Sequence, residues 1–107
     1  MQEKLQHEIN EAIESNGGRM PDYNTIQTLP YLDQVALEAL RLHPPAGMIT
    51  RSCTKDYTFE GTNLKMLAGQ DVHINVMGIH RDPQHYPNPD KFDPERFSKE
   101  GKASRHP

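Results

Sequence analysis

The chain has 107 residues, one domain's worth at most, and folding a chain of that size hides only about two-thirds of its unfolded surface. Hydrophobic residues make up 34% of it, and seven glycines bring the apolar share to roughly 40%, below the ~45–50% usual for globular domains, so any core is small. Net charge is −3 with both signs interspersed, which excludes nucleic acid or an anionic membrane surface as a partner held by a basic patch.

Leu5, Ile9, Ala12 and Ile13 recur at helical spacing, with Glu3, Lys4, Glu8, Glu11 and Glu14 on the other faces, which predicts an amphipathic helix over 2–16. The stretch Met1 to Met20 is charged throughout. It has neither the apolar run of a signal peptide nor the ~20 apolar residues of a membrane span, so the chain as it stands is expected to be soluble. Gly17-Gly18 is a stop signal, followed by a loop and a short helical turn ending near Leu29-Pro30.

A second helix is predicted over 31–43, where Leu32, Val35, Ala36, Ala39 and Leu40 form an apolar stripe expected to face a core. At ~100° per residue, Glu38 falls near ~240° and Arg41 near ~180° from Leu32, flanked by Leu37 and Leu42. Pro44-Pro45 ends the helix, because proline removes the backbone donor and pushes its predecessor out of the α region.

Short β-type runs follow at Met48–Thr54, Tyr57–Glu60, Leu64–Leu67 and Val72–Met77, separated by Lys55-Asp56, Gly61 and Gly69, which suggests a small antiparallel meander over about 48–77. In the last run Val72, Ile74 and Val76 alternate with His73, Asn75 and Met77, the pattern of a half-buried strand. From 78 to 107 no apolar period remains. Five of the nine prolines fall between Pro83 and Pro107, so this segment is expected to be an irregular meander across a surface. The single cysteine, Cys53, excludes an internal disulfide and points to a reducing compartment.

Glu38 and Arg41 at i, i+3 can form an exposed ion pair contributing about 0–1 kcal/mol. The leucines on either side favour the other reading, a buried pair, in which removing one partner costs about 3–5 kcal/mol. Such a pair would fix architecture.

A helix bearing Glu38-x-x-Arg41 and closed by Pro44-Pro45 resembles the helix beneath the haem in the cytochrome P450 family. Arg51, Lys55-Asp56-Tyr57, Gly61, the Gly69 turn, His80-Arg81-Asp82-Pro83 and Pro94-Glu95-Arg96-Phe97 follow in that family's order and at similar spacings. The resemblance implies a mainly α fold with a small antiparallel β region, of which this chain would be a partial domain over 1–107. It implies that Glu38, Arg41 and Arg96 form a carboxylate between two guanidiniums, a structural triad that performs none of the oxygen chemistry. It places Arg51 against a haem propionate, which a guanidinium matches bidentately. Ala46, Gly47, Met48, Ile49 and Thr50 would line the substrate pocket. No catalytic residue and no protein metal ligand is assigned to this chain.

In that family a cysteine thiolate holds the haem iron and drives dioxygen cleavage. Cys53 stands two positions after Arg51, whereas the family's ligand follows the Pro-Glu-Arg-Phe segment in a loop that nothing after Phe97 resembles. The chain is therefore expected to be an inactive fragment of a monooxygenase. The parent would insert one atom of O2 into a small apolar substrate, with NADPH electrons from a reductase, at the endoplasmic reticulum membrane through an N-terminal anchor, in the manner of microsomal animal members, insect ones among them. His73, His80 and His85 match no zinc spacing, and neither a Gly-x-Ser-x-Gly elbow nor a phosphate-binding glycine loop is present. A rival reading is a stable truncated module that serves interaction without catalysis, which the thin core and proline-rich tail count against.

Overall fold

The computed structural model describes residues 1–103, the last of these by backbone alone. The end of the predicted meander, 104–107, lies outside the described residues. In chain order the elements are α1 (Gln2–Ser15), α2 (Tyr23–Gln27), α3 (Pro30–Leu42), β1 (Met48–Ser52), β2 (Tyr57–Thr58), β3 (Lys65–Met66), β4 (Asp71–Asn75), α4 (Val76–His80), a 3₁₀ turn (Pro94–Phe97) and α5 (Lys99–Ala103). The architecture is mainly α with a small antiparallel β part.

Local chemistry sets the helix ends. At the end of α1, the amide of Gly18 donates to Ile13 O at 2.9 Å and that of Gly17 to Glu14 O at 3.0 Å, both glycines holding positive φ. Asp22 caps α2, accepting from the Thr25 amide at 2.8 Å, and the cap holds its carboxyl below the ordinary carboxylate value. Pro30 starts α3 at a position where its missing N–H is no loss. Leu29 offers α3 no side-chain cap, and α1 supplies one instead. The Glu8 carboxylate accepts from the amides of Tyr31 at 2.8 Å and Leu32 at 2.9 Å, placing a negative charge on the positive end of α3.

The β part differs from the meander that alternation suggested. β1 pairs with β4 antiparallel, Ile49 opposite Ile74 and Arg51 opposite Val72, while β2 pairs with β3, so a short hairpin is nested within a longer ribbon. The predicted last strand also ends early: Val76 and Met77 open α4, because the Asn75 side chain accepts from the Gly78 amide at 2.9 Å and caps a helical turn. The segment from 78 on, predicted to be irregular, carries the rest of α4, the 3₁₀ turn and α5.

The chain is open. Its radius of gyration is 19.4 Å, against about 13 Å for a compact domain of 100 residues. It exposes 8332 Å², where about 6,000 Å² suits a compact monomer of this mass. The buried side chains among the described residues are Pro21, Tyr31, Glu38, Arg41, Leu42 and Pro94, so the interior lies between α3 and the 3₁₀ turn. The face of α3 turned inward is thus the arc of Tyr31, Glu38, Arg41 and Leu42. The apolar stripe predicted to face a core lies more open, with Leu40 52% exposed.

Candidate functional site

Glu38 is fully buried and Arg41 is 2% exposed, which identifies a deliberate charge site in a chain with so little interior. One turn apart on α3, the two meet fork to fork. Arg41 Nε donates to Glu38 Oε2 at 2.7 Å and Nη2 to Oε1 at 2.9 Å. The remaining guanidinium edge is spent on distant backbone: Nη1 donates to His80 O at 2.8 Å, and Nη2 to Pro89 O at 2.7 Å and Lys91 O at 3.4 Å. The Arg41 plane also lies over the Tyr86 ring, 5.1 Å from its centre. The bond to Glu38 raises the Arg41 pKa above its ordinary value, against the opposing effect of burial.

Glu38 is compensated on its other side. The Asp93 amide donates to Oε1 at 2.8 Å, and Arg96 Nε stands 3.6 Å from the same oxygen, an ion pair beyond hydrogen-bond length. Arg96 in turn donates from Nη2 to Asn88 O at 2.9 Å. The structure therefore brings Glu38, Arg41 and Arg96 together, and both arginines also grip the chain between Asn88 and Lys91. An irregular, proline-rich segment has few ways to pair its carbonyls internally, and here two guanidiniums do it. Lys4 on α1 reinforces the assembly by an ion pair with Glu95 and by lying 4.3 Å from the centre of the Tyr31 ring.

The other predicted residues stand apart from this network, on β1 and just before it. Arg51 is exposed and donates one Nη1 bond to Thr50 O at 2.9 Å. Ala46, Met48 and Thr50 are exposed, Gly47 and Ile49 half-buried. The β1–β4 register puts Ile49, Arg51, Val72 and Ile74 on one face, an apolar strip with one guanidinium. Cys53 is half-buried, its thiol donating to Lys55 O at 2.9 Å. Sequence reasoning gave no role to Glu8, and it named His80 as part of a family motif without joining it to Arg41. Glu8 looked like one acid among several on a charged face, and nothing local shows that α3 lacks its own cap.

The comparisons with known proteins decide the family. The family model described as Cytochrome P450 matches residues 1–107. The chain belongs to the cytochrome P450 family. It is 42% identical over 105 residues to Cytochrome P450 6k1 of Blattella germanica, covering 98% of this chain and 20% of that protein. Over 108 residues it is 44% identical to Cytochrome P450 9e2 of the same organism, covering 100% and 20%. Cytochrome P450 3A1 of Rattus norvegicus is 44% identical over 106 residues, covering 99% and 20%. The chain thus spans about a fifth of the length of these P450 relatives. Among its described residues no helix is long and apolar enough to cross a membrane.

Proposed function

We propose that this chain is the scaffold beneath the cofactor of a haem-thiolate monooxygenase, an enzyme that inserts one atom of O2 into a small apolar substrate with NADPH electrons delivered by a reductase. The observation that carries this reading is the Glu38–Arg41 fork closed by Arg96, in a chain matched along its whole length by the P450 family.

The residues present suit a haem. It is a flat apolar ring edged by carboxylates, and the β1–β4 face offers Ile49, Val72 and Ile74 as apolar contact with Arg51 to pair a propionate. When bound, the haem supplies the activation of dioxygen, and the protein contributes binding, orientation and electrostatics. The role of Arg51 here is to hold a carboxylate. Ala46 to Thr50, which lead into the same ribbon, border the substrate, and exposed Met48 suits an apolar one. Glu38, Arg41 and Arg96 hold the α3 helix and the Asn88–Asp93 chain as one body. None of the chain's residues is assigned a proton or oxygen step, and Cys53, bonded to its own turn, is not the thiolate ligand. On the same reading the parent protein works at an endoplasmic reticulum membrane.

Arg41→Lys in the full-length protein tests this. Lysine keeps the charge but not the fork, so it satisfies at most part of the set formed by Glu38, His80 O, Pro89 O and Lys91 O. The expected result is protein without haem. A normal haem load and a thiolate-type ferrous carbon monoxide spectrum would refute the reading. The interaction-module alternative finds no support among the described residues, whose most buried side chains are those of the charge network.

A further inference from the structure

The last turn of α3 has a defect written into its sequence. In a continuing helix the carbonyl of Arg41 would accept from the amide of residue 45, and that of Leu40 from residue 44. Both are proline, so neither can donate. The Arg41 carbonyl is nevertheless paired: His80 Nδ1 lies 3.2 Å from it. A carbonyl only accepts, so the ring must carry its hydrogen on Nδ1. Next to it, Arg81 Nη2 reaches Leu42 O at 3.4 Å.

This contact is one half of a closed exchange. The Arg41 guanidinium donates to His80 O at 2.8 Å while the His80 ring donates to Arg41 O, and Tyr86 packs against both partners, 6.3 Å from the imidazole centre and 5.1 Å from the guanidinium. His80 ends α4, which follows β4 directly and is tied to the start of β1 by the Met77 amide donating to Gly47 O at 3.2 Å. We infer that His80 is a positioning residue that replaces the amide lost at Pro45 and, through its exchange with Arg41, fixes the β1–β4 ribbon relative to α3. The inference rests on the haem-thiolate reading for its consequence, since the ribbon carries Arg51. The geometry of the exchange does not depend on that reading.

The experiment compares wild type, His80→Asn and His80→Leu in the full-length protein, with two readouts. Asparagine's amide nitrogen reaches the place of Nδ1, and leucine fills the space without a donor. Hydrogen exchange of the His43 amide, which closes the last turn of α3 on Ala39 O, is expected to speed up about five-fold or more in His80→Leu and to stay near wild type in His80→Asn. Haem content should follow the same order. Leucine behaving as wild type in both readouts overturns the inference. So does asparagine failing as leucine does, because the donor would then not be what matters. If His80→Leu does not fold, the rescue by asparagine still decides. If wild type gives no thiolate-type spectrum, the proposed function falls while the exchange result still judges His80.

Discussion

The two halves of this molecule handle polarity in opposite ways. Around α3 the most buried side chains are a glutamate and an arginine, and every strong interaction they make is closed within the chain. The β1–β4 and β2–β3 ribbons bury almost nothing: Met48, Tyr57, Leu64, Leu67 and Ile74 are all more than a third exposed. A buried charge tolerates no missing partner, so the charged half is over-determined. An exposed ribbon is held mainly by its ladder, which leaves its face open to whatever packs there. That contrast suits a scaffold that locks one side and presents the other.

The contrast is broken most directly by Glu38→Ala, which leaves Arg41 buried without its carboxylate. The expected loss is about 3–5 kcal/mol, read as a lowered midpoint in denaturant unfolding of the full-length protein. A loss within the ~0.5 kcal/mol typical of surface substitutions would mean that the charged half is no more determined than the ribbons. Glu8→Ala should cost less, about 0.5–2 kcal/mol, because it removes a cap from α3 but leaves its buried face intact. Faster exchange of the Tyr31 and Leu32 amides would locate the effect.

The smallest effect belongs to the ribbons. Asp56 accepts from the Ala68 amide at 3.0 Å and pairs with Lys65 at 3.0 Å, and these contacts, the amide first, lower its pKa from 3.8. A depressed carboxyl contributes stability above its unfolded value and loses it as pH falls through the folded one. Acidification below about 3.8 should therefore loosen the Asp56–Ala68 tether, seen as an Ala68 amide shift whose midpoint lies under the ordinary value. A midpoint at or above 3.8 would show that the tether is not formed.

Much of this could be read from the residues. The punctuation by Pro30, Gly17-Gly18 and Pro44-Pro45 set the helix ends to within a residue or so, because these effects are local. What could not be read is long-range. The apolar stripe of α3 did not point to its most buried arc, Tyr31, Glu38, Arg41 and Leu42, because periodicity weighs apolar side chains alone. It cannot register carbonyls and an amide supplied to Glu38 and Arg41 from 39 to 55 residues away. Alternation found the strands but not their partners, so a nested ribbon looked like a meander. Val76 and Met77 kept the period of a strand, and only the Asn75 cap, a signal present in the sequence, marks the change to helix. Arg96 entered through family resemblance, and spacing alone would not have joined it to Glu38.

The measurement that bears most directly on the contrast is backbone hydrogen exchange of the full-length protein with Glu38→Ala, which removes both acceptor oxygens, against wild type. The account predicts lost protection at Asp93, whose amide donates to Glu38, and through the Asn88–Lys91 chain, with the β1–β4 ladder amides unchanged. Equal loss across both regions, or an Asp93 amide that exchanges as in wild type, would contradict it.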